Sequence, residues 1–503
     1  MKLGEILERA PSVQMGADHE IEVASLAYDS RRVSEGCLFF AIQGEKADGH
    51  RFIADALGRG AVAIVSEREA PAELAAKWVR VGAIRRSLAE AARAFYGYPD
   101  LKLRLVGITG TNGKTTTAYL LNSIFRAARI PAGLLGTIEY QLGDRILPAS
   151  NTTPESLDLS TYFHELVQSG GKAAVMEVSS HALAQERVWG LHFESAVFTN
   201  LTRDHLDYHH DFEHYFAAKQ KLFEGVGSPP PELAVINVDD AWGQRLLHLK
   251  RSRYLTYGFS SNADVKVREY LQHVSGLSIA LITPEGEVKI ESALLGRVNV
   301  MNLLAATATA IGMGLPMASI QQGIRDLPAV PGRFQKIDEG QPFLVVVDYA
   351  HTDDALQNVL QTARELTKNR LIVLFGCGGE RDRTKRPIMG ELAGRLSDFA
   401  VLTSDNPRSE DPILIMNDVL VGLQKTGKPY LAEVDRAIAI RKAIEEAREG
   451  DVVVLAGKGH ETYQVLQQGT IPFNDCEITR QVLRELGFER QSPVAKGTKS
   501  PRR

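Results

Sequence analysis

Leu103-Arg104-Leu105-Val106-Gly107-Ile108-Thr109-Gly110-Thr111-Asn112-Gly113-Lys114-Thr115-Thr116 decides how this chain folds. The run from Leu103 to Ile108 is short and mostly apolar, which reads as a buried strand. The run from Thr115 to Arg129 reads as a helix. The Gly-rich turn between them collects backbone N–H groups at a helix N-terminus, where a phosphate is favoured. Lys114 adds a mobile positive charge, and Thr115 a hydroxyl able to ligate Mg²⁺. The segment departs from the strict phosphate-loop pattern, since Ile108 stands where that pattern has Gly and the nearby glycines are Gly107 and Gly110. The order strand, loop, Lys-Thr, helix still predicts ATP or GTP held through its phosphates by Thr109, Gly110, Thr111, Asn112, Gly113, Lys114, Thr115 and Thr116.

A chain of 503 residues is too long for one core, so two to four domains are expected. The composition is that of a globular protein, 44% hydrophobic and 24% charged. A net charge of −4 gives no global basic field, so nucleic acid is not an implied partner. No apolar run approaches the roughly 18 residues needed to span a bilayer, so no membrane insertion is expected. Met1 to Ala10 carries charges and lacks a signal-peptide core. Cys37, Cys377 and Cys476 form no zinc pattern and suit a reducing cytoplasm.

Three blocks follow from the pattern of runs. The first reaches about Pro99, where Tyr96-Gly97-Tyr98-Pro99-Asp100 reads as a turn or linker; it holds strand-like runs Leu38–Ile42 and Ala61–Val65. The second opens with the phosphate loop and continues through Ala173–Val178, Ala196–Thr199 and Leu233–Asn237, with helical stretches between. Strands alternating with helices argue a parallel, doubly wound sheet. Ser228-Pro229-Pro230-Pro231 reads as a surface loop within it. The third block starts near Val330-Pro331-Gly332-Arg333, with strand candidates Phe343–Val347, Leu371–Phe375, Phe399–Leu402 and Val452–Leu455 and a helical run Asp353–Leu366. The polar, basic tail Gln491–Arg503 is expected to be disordered.

Polar clusters fall at the ends of these strands, where ligands of open α/β sheets bind. Glu177, followed by Val178-Ser179-Ser180-His181, is placed near the phosphate loop as a Mg²⁺ ligand or a capping residue. Asn200 to His209, with Asp204, His205 and Asp207, suggests a metal or phosphate site. Lys219 lies in a helix-like run and reads by default as a solvated lysine. Asp348, in Asp348-Tyr349-Ala350-His351, fits either a ribose acceptor or a helix N-cap. Three loops, Gly376–Arg383, Ser404–Arg408 and Gly457–Glu461, each follow a third-block strand and together make a second polar site. Arg381 and Arg408 there can each grip a carboxylate bidentately.

With these motifs the chain resembles the Mur ligases, the ATP-dependent enzymes that build the peptidoglycan stem peptide, over about residues 20 to 490. Gly107–Thr115 is similar to their phosphate loop, including its departure from the strict pattern. Asp29-Ser30-Arg31 and Phe40-Ala41-Ile42-Gln43-Gly44 resemble the uridine-nucleotide segment, which implicates Ser30 and Gln43. Asn151-Thr152-Thr153-Pro154 resembles the muramoyl-peptide loop. Glu177–His181 with Gln185 and Arg187 resembles the metal and acceptor segment, where Ser179 and Arg187 would hold the acceptor. Lys219 matches the lysine that the family carbamylates to N6-carboxylysine. Asn299-Val300-Met301-Asn302 resembles the adenine segment, and Arg333, Asp348 and His351 the ATP contacts. Asp405-Asn406-Pro407-Arg408 is the motif associated with meso-diaminopimelate. Val298 stands where the family usually has Phe, and Asp353 where it has Pro.

The resemblance implies an α/β chain of three domains. These are an N-terminal nucleotide-sugar-binding domain (1–98), a central P-loop ATPase-type parallel-sheet domain (99–330) and a C-terminal Rossmann-like amino-acid domain (331–490). It implies a ligase that uses ATP and Mg²⁺ to add meso-2,6-diaminopimelate to the D-glutamate γ-carboxylate of UDP-N-acetylmuramoyl-L-alanyl-D-glutamate through an acyl phosphate, as a cytoplasmic monomer. Thr115, Glu177, His205 and carbamylated Lys219 are the implied metal ligands. Arg381, Asp405, Asn406, Pro407, Arg408, Gly457 and Glu461 are the implied diaminopimelate site. L-Lysine as the added residue, or a folylpolyglutamate synthetase-like ligase, is the alternative. Asp29-Ser30-Arg31 argues against the latter, and Asp405–Arg408 against a ligase adding D-alanyl-D-alanine. From another class, a regulatory or scaffold protein that only binds ATP would not require Glu177, His205 and Lys219 together.

Overall fold

The structure, a computed structural model, describes residues 1–44, 47–249 and 252–489. The expected disordered tail lies outside the described residues. Contacts divide the chain into two compact units. One is Met1–Glu269 with Ala280–Ile290 and Met301–Asp326; the other is Tyr270–Ile279 with Glu291–Val300 and the chain from Leu327 onward.

The first unit contains a five-stranded sheet in the order Gln14–Met15, Trp78–Arg80, Ala61–Ser66, Cys37–Phe40, Ser25–Ala27. Cys37–Phe40 is buried on both faces, as a central strand of a covered sheet must be. The corner after this sheet is anchored rather than loose. Pro99 and Asp100 are buried in a 3₁₀ turn, and Asp100 accepts from Arg93 Nε (3.1 Å) and Nη2 (3.0 Å). Arg86 pairs with Glu186 and Tyr28 donates to Asp158 (2.5 Å) across the same junction. The expected 98/99 boundary therefore falls inside one compact unit.

The same unit holds a parallel sheet centred on Arg104–Thr109. Its neighbours are Ala173–Glu177 on one side, then Ala132–Leu135, and Ser195–Phe198 on the other, then Leu233–Asn237 and Arg253–Gly258. Strands distant in sequence thus flank the central one, which creates a topological switch point at its carboxyl end. An antiparallel hairpin, Glu139–Leu142 with Arg145–Pro148, closes one edge. The helix after the phosphate loop runs Lys114–Ala127. The Ser228–Pro231 segment is a loop, though Pro231 is buried.

The second unit is built on a six-stranded sheet in the order Gln335–Ile337, Leu344–Asp348, Val452–Ala456, Leu371–Phe375, Phe399–Thr403, Tyr430–Glu433. All its pairings are parallel except the first. Buried aliphatic residues cover both faces. Four loops, following Asp348, Phe375, Thr403 and Ala456, leave it at the same edge.

Candidate active site

Register assembles the first site. Ile108 pairs with Glu177 and Thr109 with Phe198, so the loops after three strands emerge side by side. The 199–202 segment braces the phosphate loop. Asn112 N donates to Asn200 Oδ1 (2.9 Å), Asn200 Nδ2 donates to Asn112 O (3.1 Å), and Thr199 Oγ1 donates to Asn112 O (2.6 Å). Gly110 and Gly113 have φ of +145° and +88°. A Cβ on Gly110 would overlap Thr199 Oγ1, and one on Gly113 would overlap Asn302 Oδ1. Lys114 folds over the loop and donates to the carbonyls of Gly110 (2.9 Å) and Thr111 (2.8 Å). Thr115 and Thr116 are buried in the first helical turn.

Lys219 corrects the reading of its residue type alone. It is 1% exposed, its Nζ donates to Gly110 O (2.8 Å), and it lies 4.5 Å from the Tyr215 ring centroid. Tyr215, Phe216, Leu222 and Phe223 are buried on the same helix, Phe212–Glu224, so the apolar face carries Lys219 inward. Burial, and then the nearby Lys114 charge, push its ammonium well below the usual lysine range, against the pull of Asp204.

Glu177 is buried. Its Oε1 accepts from Thr137 N (2.9 Å) and its Oε2 from Thr137 Oγ1 (3.0 Å); it caps no helix. His205 sits at φ +53° with its ring edge-on to His181 at 4.7 Å. Burial pushes its imidazolium down to about 4, with His181, Lys114 and Lys219 acting the same way and Asp204 opposing. Parts of the Asn200–His209 run have structural partners. Asn200 and Thr202 brace the loop, and His209 Nε2 bonds to Ser180 Oγ (2.9 Å). Among the described residues no three His, Cys, Asp or Glu side chains are set to hold a metal. The oxygen donors that fit Mg²⁺, a hard cation, are the Thr115 hydroxyl and the Glu177 carboxylate, with the His205 imidazole as a nitrogen candidate. Lys219 joins them only as a carbamate.

The acceptor residues divide. Thr153 Oγ1 donates to Glu177 O (2.9 Å) and accepts from Ser179 N (3.0 Å). Arg187 Nη1 donates to Thr153 O (2.9 Å), and Arg187 Nη2 to Gln185 Oε1 (2.7 Å). Thr152 bonds to Thr137, which binds Glu177. Thr153, Ser179, Gln185 and Arg187 are thus one group. Asn151 stays exposed beside it, its carbonyl accepting from Tyr140 Oη (2.5 Å). Ser30 is buried in a 3₁₀ turn and Gln43 is exposed, and neither bonds to that group. Asn302 lies against Gly113; Asn299 is buried and donates to Leu295 O (2.7 Å).

The second unit carries its own cluster. Asp348 accepts from Phe334 N (2.6 Å) and Ala350 N (2.8 Å), and burial raises its carboxyl while Arg333 opposes. It is no N-cap: Thr352 caps the helix Asp353–Leu366. The Arg333 guanidinium lies 4.7 Å from the Tyr349 ring, beside which His351 and His460 pack. Arg408, at φ +54°, donates from Nη1 to Gly379 O (2.5 Å). Its Nε and Nη2 meet no acceptor among the described residues. Arg381 is exposed on the other flank of Gly378. Asn406 Nδ2 donates to Glu461 Oε2 (2.9 Å), and Gly457 packs against Asp405 Oδ2. Pro407 lies under Gly379. Thr137, Thr199 and Tyr215 were missed from sequence. Only Tyr215 left a signal there, four residues before Lys219 on one helix face.

A braced phosphate loop at a switch point, with a buried carboxylate and a buried lysine behind it, defines an α/β nucleotide-binding protein of the phosphate-loop class. Family models match in succession: Mur ligase family, catalytic domain, at 22–96; Mur ligase middle domain at 108–310; and Mur ligase, glutamate ligase domain, at 332–459. The chain belongs to the Mur ligase family and is an ATP-dependent ligase joining an acid to an amino acid. It is 57% identical over 490 residues to the UDP-N-acetylmuramoyl-L-alanyl-D-glutamate--2,6-diaminopimelate ligase of Solibacter usitatus (strain Ellin6076), covering 97% of this chain and 99% of the relative. It is 46% identical to the enzyme of that name from Geobacillus thermodenitrificans (strain NG80-2), covering 96% of this chain and 100% of the relative. A solved structure of that ligase aligns with TM-score 0.69 at 34% identity, over 97% of this chain and 99% of the other.

Proposed function

We propose that this chain joins meso-2,6-diaminopimelate to the D-glutamate γ-carboxylate of UDP-N-acetylmuramoyl-L-alanyl-D-glutamate at the expense of ATP. It would act as a cytoplasmic monomer in peptidoglycan precursor synthesis. Among the described residues no helix is long and apolar enough to cross a membrane. Residues 1–98 would take the nucleotide sugar, 99–330 the ATP and 331–490 the amino acid. The observation that carries the choice of amino acid is the Arg408 edge, Nε and Nη2, which meets no acceptor among the described residues, two positions from Glu461's partner Asn406. L-Lysine has no carboxylate at its side-chain end to meet that fork.

The chemistry follows from poor electrophilicity. A carboxylate resists an amine until phosphorylation gives it a leaving group. The γ-phosphoryl of ATP passes to the carboxylate oxygen, giving an acyl phosphate and ADP. The amine then attacks the carbonyl carbon, and phosphate departs as the amine proton is lost. The loop N–H groups and Lys114, turned from its loop carbonyls, would hold the phosphates. Thr115, Glu177, His205 and carbamylated Lys219 would hold Mg²⁺, which when bound offsets charge on the transferred phosphoryl group. Thr153, Ser179, Gln185 and Arg187 would orient the acceptor beside Glu177.

The test is a substrate panel scored by phosphate release. Release is expected only with ATP, the UDP-muramoyl dipeptide and diaminopimelate together. Release with L-lysine at equal efficiency, or with folates and glutamate, would overturn the reading.

A further inference from the structure

The loop Gly457–Glu461 holds a lysine with no exposed side chain. Lys458 Nζ donates to Glu461 Oε2 (2.9 Å) and Asn406 Oδ1 (3.1 Å), with Asp405 Oδ1 at 3.8 Å. Burying an ammonium is costly unless carboxylates compensate it, and here two do. The contacts also constrain the partners. Asn406 Oδ1 accepts from both Lys458 and Val465 N (3.0 Å), while its Nδ2 donates to Glu461. A flipped amide would set N–H donors against an ammonium and a backbone N–H. Glu461 Oε2 therefore has two donors, whereas its Oε1 has none among the described residues.

Charge is fixed along with geometry. Asp405, Glu461 and Lys458 sum to one negative charge, and with Arg408 these four side chains are neutral. A neutral set of groups with one carboxylate oxygen and one guanidinium edge that meet no partner among the described residues complements a zwitterionic end, ammonium and carboxylate on one carbon. Without the lysine the same cluster is anionic and complements a lone ammonium.

We propose that Lys458 is a positioning residue that sets which amino acid this site accepts, because it occupies Glu461 Oε2 and Asn406 Oδ1 and neutralises one carboxylate. This rests on the loop cluster being the amino-acid site. Lys458 touches no substrate in this scheme. It acts by fixing Glu461, so that Oε1 is the carboxylate oxygen left to an incoming ammonium, and by denying the second carboxylate to a competing cation, discrimination partly by exclusion.

The experiment is steady-state phosphate release by the full chain, with saturating ATP and UDP-muramoyl dipeptide, titrating meso-diaminopimelate and L-lysine in turn. Lys458→Met should raise the KM for diaminopimelate at least tenfold and leave the KM for ATP within about twofold. The ratio of kcat/KM for diaminopimelate to that for lysine should fall at least tenfold. Glu461→Gln should cost less in the Lys458→Met background than in wild type. If Lys458→Met does not fold, Asn406→Asp adds a negative charge while leaving Lys458 its partners, and should lower the same ratio. A selectivity ratio that stays at its wild-type value in the folded variant, or equal losses for both amino acids with a shifted KM for ATP, overturns the proposal. Wild-type protein that releases phosphate with neither amino acid removes the underlying reading and the proposal with it. Wild-type preference for diaminopimelate that Lys458→Met retains removes the proposal alone.

Discussion

Gly113→Ala is expected to damage nucleotide binding as well as the fold, where a glycine elsewhere with the same backbone costs the fold alone. Gly113 stands at φ +88° just before the helix Lys114–Ala127, and a Cβ there overlaps Asn302 Oδ1. Two costs can be separated. Holding an L-residue in the left-handed region costs about 1–2 kcal/mol. Gly314 isolates that term: it has φ +73° in an exposed turn, with nothing within 4 Å of its would-be Cβ. The second cost belongs to Gly113 alone. Asn302 is buried, so the loop must back away, and its N–H groups lose their aim at the phosphates. A hydrogen bond to a charged group contributes about 1.5–3 kcal/mol. Losing one lowers affinity by roughly ten- to a hundredfold. Calorimetric titration with ADP and Mg²⁺ and urea unfolding should be run on both variants. Both should lose about 1–2 kcal/mol of stability; only Gly113→Ala should lose affinity. A folded Gly113→Ala protein that binds ADP as wild type does, or a Gly314→Ala protein with the same affinity loss, would refute this account of the loop.

Lys219→Ala should nearly abolish turnover, and high bicarbonate or a short carboxylic acid should partly restore it by supplying the missing carboxylate. Full phosphate release without additives would exclude the carbamate. Arg408→Ala should raise the KM for diaminopimelate with little change in that for ATP. Truncating one partner of a charged hydrogen-bonded pair costs on the order of 2–5 kcal/mol, so the effect should be at least tenfold; an effect confined to ATP would remove Arg408 from the amino-acid site.

How far the sequence could be read depended on whether the relevant physics was local. The phosphate loop was legible because strand, positive-φ glycines and helix start are contiguous, and the structure places a strand at Arg104–Thr109 and a helix at Lys114–Ala127. The strands Leu233–Asn237 and Leu371–Phe375 and the helix Asp353–Leu366 have the ends their apolar runs imply. Lys219 shows where residue type misleads and periodicity does not. Read as a lysine, it belongs in solvent. Read by position, it shares a stripe with Tyr215, Phe216, Leu222 and Phe223, a spacing of three and four that turns one helix face to the core. The periodic pattern outranks the side chain's preference here, and burial pushes the ammonium down as a consequence.

Pairing in space leaves no such trace. Nothing local links Glu177 to Thr137 or Asn112 to Asn200. Each contact is created when distant strands or helices dock. Lys458 is the sharpest instance. Between two glycines it has no periodic context, and beyond Glu461 of its own loop its partners are Asn406 and Asp405, on a loop after a different strand. Parallel sheets make this inevitable: adjacent strands are joined by long crossovers, so a site at their carboxyl ends draws each residue from a different stretch of chain. What a single sequence does supply is the count of polar loops at strand ends. In the second unit that count was enough to expect a second polar site, and only the register of Asp348 with Ala456 and of Phe375 with Leu402 could say which loops emerge side by side.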